Sequence, residues 1–300
     1  MMTILTAMLL TVLAVTAQTD TTFKVRPGSR LNVNNFGGEI AVRAWGRNTV
    51  RIEAAHAERM RVRVEALGSD IEVRASSRRG IPGRVDYRIT APEWMPLSLS
   101  GIYADVSVEG AKSEVSAETV KGDVRVLGGD GFIRLSSIQG AVCVGGARGR
   151  LELSSVDQGV SVSDAEGDIS VDAVNGDVTL EGIRSGMVEA ATVNGDVTYV
   201  GEIRAGGRYR LASHSGNLFI VIPRRASARV SVATFSGDLE SDFPVSLTQA
   251  KKGGRFDFTL GSGSARIDLE TFLGTINLQR AAGARASDAR KATPCGKEKE

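Results

Sequence analysis

From residue 95 onward, apolar and polar residues alternate in short units that recur every nine residues. Each unit reads Gly-x-φ-x-φ, where φ is apolar, as at Val124/Val126 and Val142/Val144. The units start at 95, 104, 113, 122, 131, 140, 149, 158, 167 and 176, and insertions then spread them to 186, 195, 207, 216, 228, 237, 254, 265 and 274. Alternation of β-branched with polar residues predicts a strand with one buried face. Nine residues hold one such strand and a tight corner.

Odd and even units differ, so the full repeat contains two strands. The sequence VNGDV occurs at Val174 and again at Val193. In this frame a Ser or Thr comes first, at Thr119, Ser137, Ser155, Thr192, Ser213, Thr234 and Thr271. The next position, which a Ser or Thr usually precedes, is aliphatic or aromatic at Val120, Ile138, Val156, Val174, Val193, Phe235 and Phe272. The spacing predicts a coil of about 18–21 residues per turn, in which like residues stack on like.

Glycine recurs where each corner falls. We expect Gly122, Gly140, Gly176, Gly195, Gly216 and Gly237 to be structural corners. Glycine suits such positions because it accepts positive φ and lets two backbones approach closely.

The pattern predicts an all-β protein built as a single-stranded parallel β-solenoid, or β-helix. Right-handed crossovers are the rule for parallel strands, so we expect a right-handed coil. Residues 95–280 would form the solenoid, and residues 18–94 an N-terminal cap of β-strands that leads into it. Residues 281–300 are polar and small, and predict a disordered tail.

The first seventeen residues are typical of a signal peptide. An apolar run from Ile4 to Val15 is followed by small residues before Gln18, although no Lys or Arg precedes the run. We expect residues 1–17 to direct export to the periplasm or cell surface of a bacterium. No later segment is apolar enough to predict a transmembrane span in the mature chain. The two cysteines, Cys143 and Cys295, do not predict a disulfide framework, and we expect both to be incidental.

Charge and motifs favour a non-enzymatic protein without a cofactor. The formal net charge of 300 residues is only +2, and no basic face of the kind that binds nucleic acid is evident. No nucleophile, phosphate-binding or metalloprotease motif is present. We expect His214 to be a partly buried spacer and His56 to be solvated.

A column of acids follows the corner glycines, at Asp105, Asp123, Asp177, Asp196 and Asp238. These side chains either form a cation-binding ladder or accept backbone N–H groups at each corner. The second interpretation is favoured, because the glycine-rich signature of calcium-binding coils is absent. Aromatic residues make up 5% of the chain, with Phe132 and Phe219 as outward candidates, which weighs against a lectin.

Three stretches carry a family resemblance: LNVNNFGGEIAVRAW from Leu31, YRITAPEWMPLSLS from Tyr87, and the serial Gly-Asp-Val units. Together they make the chain resemble the bacterial "putative adhesin" domains of unknown function over residues 22–279. The resemblance implies a β-solenoid facing the bacterial envelope and transfers no catalytic residue. We therefore expect an adhesin or scaffold that presents a repetitive surface to an unknown envelope or surface partner, either polysaccharide or protein. The alternative is a polysaccharide-binding or polysaccharide-active β-helix.

Overall fold

The computed structural model describes residues 16–77, 80–244 and 254–281. Within this part of the chain the secondary structure is all β, as predicted, and its 23 strands join in one sheet. The strands up to the middle of the coil are β1 (Thr16–Lys24), β2 (Arg30–Trp45), β3 (Thr49–Ala57), β4 (Met60–Leu67), β5 (Asp70–Ser77), β6 (Val85–Pro92), β7 (Leu97–Ala111), β8 (Val115–Lys121), β9 (Val124–Gly128), β10 (Asp130–Gln139), β11 (Val142–Gly145) and β12 (Arg148–Ser155). The remainder are β13 (Val160–Ser163), β14 (Glu166–Ala173), β15 (Val178–Asn194), β16 (Val197–Gly201), β17 (Arg208–Ser215), β18 (Leu218–Ile222), β19 (Ala228–Ser236), β20 (Leu239–Ser241), β21 (Arg255–Leu260), β22 (Ala265–Leu273) and β23 (Ile276–Arg280).

The middle of the chain is a two-sided coil of parallel strands. One side, ladder A, runs from the first half of β7 through β8, β10, β12 and β14 to the second half of β15 and then β17. The other side, ladder B, runs from the second half of β7 through β9, β11 and β13 to the first half of β15, then β16 and β18. Leu135 pairs with Leu153, eighteen residues later, so one rung has the predicted length.

The alternating apolar residues of both ladders meet in the interior. Val124, Val142, Val160 and Val178 stack in register on ladder B, and all four are buried. Each strand is only a few residues long and carries two inward apolar residues. A single rung cannot bury these two residues alone, so the neighbouring rungs must cover them. At about 1.5–3 kcal/mol for each buried aliphatic side chain, this column is a major source of stability.

At the N-terminal end the chain does not stack in sequence order. The long strand β2 bends at Gly38, whose φ of 112° is favourable only for glycine. It pairs with β7 on one side, and with β5 and β6, which follow it in the sequence, on the other. Antiparallel pairs extend the sheet at this end: β6 pairs with β3, β3 with β1, and β5 with β4.

The C-terminal end repeats this arrangement. Strand β22 lies between β17 and β19, and β23 lies between β18 and β20. The last rung in sequence therefore occupies the second-to-last place in space, and β21 pairs antiparallel with β19 outside it. The rung β2 is placed in the same way near the start of the chain, so both of these terminal rungs have neighbours on both sides.

The fold is thus solenoid-like, and its sheet is mixed, so the expected clean single-stranded parallel helix is wrong. Antiparallel pairs occur within residues 18–94, where a cap of β-strands was expected, and also at the C-terminal end of the expected solenoid. Alternation gives every strand the same apolar face, so β19 and β22 are equally suited to stack on β17. The connections decide the order, and the nine-residue pattern does not encode them.

The expected signal peptide and tail fall largely outside the described residues. Thr16 and Ala17, in the predicted signal, already belong to β1. Cys143 is disulfide-bonded, contrary to the expectation that it is incidental, and the chain's other cysteine, Cys295, lies outside the described residues. No helix in the described part of the chain is long and apolar enough to cross a membrane.

Candidate functional site

Glycines stack at one corner of the coil, where most successive backbones approach closely, although Ala104 and Gln158 occupy the same position on two rungs. A Cβ atom on Gly140 would overlap the carbonyl of Gly122, and one on Gly195 would overlap the carbonyl of Gly176. The same holds for Gly216 above Gly195. Gly237 lies above Gly274, which follows from the displaced last rung.

Buried hydroxyls hold this corner from inside. Ser137 Oγ donates to the Gly122 carbonyl at 2.8 Å, and Ser155 Oγ donates to the Gly140 carbonyl at 2.9 Å. Four more residues of the predicted Ser/Thr column make the equivalent bond, namely Thr119, Thr192, Ser213 and Thr271. Each bond satisfies a carbonyl at the corner and joins one rung to the next.

The predicted acidic column borders the glycines on the outside. Asp105 Oδ1 accepts the backbone N–H of Asp123 at 2.9 Å, and Asp123 Oδ1 accepts that of Ala141 at 2.8 Å. After a gap at Ala141 and Gly159, Asp177 Oδ1 accepts the N–H of Asp196 at 2.8 Å. The structure therefore brings these acids together as two short runs of backbone acceptors.

The second run continues through Asn217. Asp196 Oδ1 accepts the N–H of Asn217 at 2.8 Å, and Asn217 Oδ1 accepts that of Thr275 at 2.9 Å. Asp238 lies one rung further, next to Thr275. No group of three or more His, Cys, Asp or Glu residues in the described ranges could hold a metal ion.

A line of exposed apolar side chains runs along the same corner, one residue from the buried hydroxyls. We call it the ridge. Strand register aligns its ten members in space, one on each rung, in the order Phe36, Ile102, Val120, Ile138, Val156, Val174, Val193, His214, Phe272 and Phe235. From Ile102 onward the apolar members are 38% to 72% exposed. With rungs about 4.8 Å apart, the ridge is roughly 43 Å long.

Ring stacking keeps the ridge continuous past its one polar member. The His214 and Phe272 rings stack with centroids 4.9 Å apart, and Phe272 and Phe235 stack at 4.6 Å. His214 is exposed, so the expected partly buried spacer is wrong, and it serves as a planar member of the ridge. His56, expected to be solvated, is only 8% exposed and its Nε2 lies 3.0 Å from Thr19 Oγ1.

The sequence showed the apolar column but not its exposure. Its residues are as apolar as those of the core, and only the register on the coil places them outside the buried hydroxyls. The sequence signal for this exposure was the position of each apolar residue directly after the Ser/Thr column. A residue next to a Ser/Thr that points inward must point outward, because successive side chains on a strand point to opposite faces.

Acidic residues flank the ridge. Three columns border it: the residues two before, one after and three after each ridge position. They contain ten carboxylates, Glu39, Asp105, Asp123, Asp177, Asp196, Asp238, Glu118, Asp172, Glu270 and Asp157. The one Lys or Arg in these columns is Lys121. Lost hydration raises the pKa of Asp172, and the Glu189 carboxylate raises it further.

A second feature lies on the outer side of ladder A near its C-terminal end. An open cavity of about 850 Å³ is lined by Arg208, Arg229 and Arg266, which occupy adjacent positions on neighbouring strands. Asp257 and Asp268 also line it, and Asp268 accepts a bond from Arg266 Nε at 2.8 Å. The cavity thus combines cations with two carboxylates on strands that are separated by β19.

The residues between the buried positions of ladder B are also in register. Arg125, Cys143, Ser161, Thr179 and Thr198 align on successive strands. Phe219 continues this line beside Thr198. Phe132, on ladder A, lies under the Arg134 guanidinium at 5.1 Å from its ring centre. The two outward aromatic residues are therefore on different sides and form no common platform.

Comparison with known families identifies the fold. The Toastrack DUF4097 family, a family of domains of unknown function, matches residues 15–279. The chain belongs to this family. The resemblance to "putative adhesin" domains of unknown function is thereby confirmed. No curated protein matches the Toastrack chain.

Solved structures match most of this Toastrack chain at low identity. A "putative adhesin" from Bacteroides fragilis is 14% identical, covers 87% of this chain and 96% of its own, and gives a TM-score of 0.43. A "putative adhesin" from Parabacteroides distasonis is 8% identical, with 88% and 97% covered and a TM-score of 0.47. A "putative lipid binding protein" from the same species is 9% identical, with the same coverage and a TM-score of 0.48.

Proposed function

We propose that this Toastrack protein is an exported, non-enzymatic adhesin or scaffold of the bacterial envelope, and that it binds its partner through the ridge. The observation that carries the proposal is the continuous line over ten rungs of nine apolar side chains and the stacked ring of His214. Long exposed apolar patches are unusual on soluble monomers and mark interaction sites.

The frame beneath the ridge favours a binding role because it is already rigid. Ladder hydrogen bonds, the buried hydroxyls and the stacked glycines fix each ridge residue before any partner arrives. A partner therefore loses little free energy in ordering this surface. Repetition along the coil also lets several weak contacts add together.

Retention on envelope material tests the proposal. The protein from residue 18 to 300 is compared with V156T/V174T/V193T, in which threonine keeps the β-branched shape and adds a hydroxyl. The matched control is V200T/V221T, which changes two half-buried valines in neighbouring strands of ladder B. We expect the wild type and the control variant to be retained on envelope material. The amount of the ridge variant that is retained should be at least tenfold lower. Equal retention of all three, with unchanged melting temperatures, would reject the ridge as the binding surface.

The second candidate, a polysaccharide-active or polysaccharide-binding coil, would act at the arginine-lined cavity. The observation in its favour is that two carboxylates, Asp257 and Asp268, line one open space. Against catalysis, Arg266 Nε already occupies one oxygen of Asp268 at 2.8 Å, whereas a glycosidase needs two carboxyl groups that face the scissile bond. Release of reducing ends from envelope polysaccharide, abolished by D257N or D268N, would establish the enzyme.

A further inference from the structure

We infer that the partner of the ridge is a cationic amphipathic polypeptide segment, in which an apolar stripe is flanked by Lys or Arg. This inference rests on the proposed function and names the chemistry of its partner. The observation that carries it is the contrast between the whole chain and the borders of the ridge. The chain has a net charge of +2, whereas the bordering columns hold ten carboxylates and one Lys.

The carboxylates are placed for recognition as well as for structure. Asp177 uses Oδ1 to accept the N–H of Asp196, and Asp196 uses its own Oδ1 for Asn217. A carboxylate has two oxygens with about four acceptor sites, so acceptor capacity remains on each side chain. The negative charge also remains, and it is repeated at the spacing of the rungs.

Arg side chains lie near the ridge mainly at its two ends. Arg84 lies near Glu39 and Asp105, where its guanidinium pKa is raised first by hydrogen bonding to Asp86. At the other end, Arg255 of β21 aligns with Ala233, outside the last ridge residue. From Ile138 to Phe272 the bordering columns contain carboxylates and no Lys or Arg. Over these six rungs the bordering columns hold five carboxylates, so the centre of the ridge is flanked by negative charge alone.

This charge pattern disfavours the other apolar occupants. In a ridge-to-ridge dimer of this chain, acidic borders would face acidic borders, which is repulsive. An anionic lipid surface would be repelled for the same reason, because juxtamembrane attraction requires Lys and Arg. A cationic segment gains from both features, since its apolar stripe covers the ridge while its charges meet the carboxylates.

An amphipathic helix has suitable dimensions for this role. Its apolar side chains recur about every 5.4 Å, close to the rung spacing of about 4.8 Å. A helix of about 28 residues spans roughly 42 Å, which is the length of the ridge. The proposal requires only the apolar stripe and the flanking positive charge, and such a helix is the natural probe.

The experiment measures binding of three designed 28-residue helical peptides to the full protein by fluorescence anisotropy. The first has a Leu stripe flanked by Lys, the second replaces Lys with Glu, and the third keeps Lys but replaces Leu with Ser. We expect the Leu/Lys peptide to bind at least tenfold more tightly than either of the others. V156T/V174T/V193T should lose at least tenfold in affinity for it, and V200T/V221T should not.

D177N/D196N tests the charge separately, because Asn keeps an Oδ1 acceptor for the next backbone N–H. This variant should bind the Leu/Lys peptide several-fold more weakly at low salt, with a smaller difference at 0.5 M salt. No binding of the Leu/Lys peptide, or equal binding of the Leu/Glu peptide, would overturn the inference. Ridge-dependent binding of anionic vesicles or ridge-dependent self-association, each without peptide binding, would also overturn it. Envelope retention that requires the ridge while the peptide fails to bind would leave the proposed function standing and reject only the cationic partner.

Discussion

The rings of Phe235 and Phe272 stack with centroids 4.6 Å apart and planes within 5° of parallel. They belong to β19 and β22, which pair directly because the last rung in sequence is inserted between β17 and β19. One contact thus reports both unusual features of the molecule, the interleaved end and the continuous exposed ridge.

The interleaved end predicts that a change in β22 weakens strands on both of its sides. Leu269 is buried between Leu211 and Val232, and Leu269→Ala should cost about 2–5 kcal/mol. Hydrogen exchange should speed up in β17 and in β19 together. Leu153→Ala, in the middle of the coil, is the matched control and should leave β19 protected. If Leu269→Ala left β17 unchanged, the insertion of β22 would be wrong.

The close approach of two backbones at Gly195 predicts that even one methyl group destabilises this corner. Gly195→Ala places a Cβ against the Gly176 carbonyl and should cost about 1–3 kcal/mol in unfolding free energy. Gly46→Ala has no atom within 4 Å of the new Cβ and should change stability by at most about 0.5 kcal/mol. Urea unfolding of the two variants measures the difference. Equal midpoints would show that the corner tolerates side chains.

The nine-residue pattern was sufficient to predict the middle of this fold. Alternation identified the buried valines, and the recurrence of Ser/Thr, an apolar residue and Gly identified the corner, because identical rungs need identical residues. It was insufficient at the ends, where strands of equal apolar pattern compete for the same place. It also could not separate Val174, on the ridge, from Val178, in the core, without the direction of each side chain.

The acidic column is expected to act through hydrogen bonds without tightly bound calcium. Asp177→Ala removes the acceptor for the Asp196 N–H and should cost on the order of 1 kcal/mol, whereas Asp177→Asn keeps an acceptor and should cost less. Melting midpoints in EDTA and in millimolar calcium should agree. A calcium ion at 1,000 times its dissociation constant would add about 4.1 kcal/mol, so a large calcium-dependent rise would contradict this account.

An ion pair between two rungs predicts a pH-dependent contribution to the stability of the fold. Arg134 lowers the pKa of Glu152, mainly through a hydrogen bond of 2.6 Å between Nη2 and Oε2. A carboxyl with a lowered folded-state pKa stabilises above its unfolded pKa of about 4.3, and this stabilisation is lost as the pH falls through the lowered value. Glu152→Gln should therefore be slightly less stable than wild type at pH 7 and equally stable at pH 2. If the difference in stability between wild type and Glu152→Gln grew as the pH fell, this assignment would be wrong.

The central claim is that the ridge contacts the partner, and site-specific photocrosslinking in cells that make the protein tests it most directly. A photoreactive amino acid is placed at Val156 or Val174 on the ridge, or at Thr179 or Thr198 on the outward side of ladder B. Melting temperatures of the purified variants confirm that each one folds. The account predicts a discrete adduct from both ridge positions and none from ladder B. Adducts from Thr179 and Thr198 alone, with none from Val156 or Val174, would contradict it.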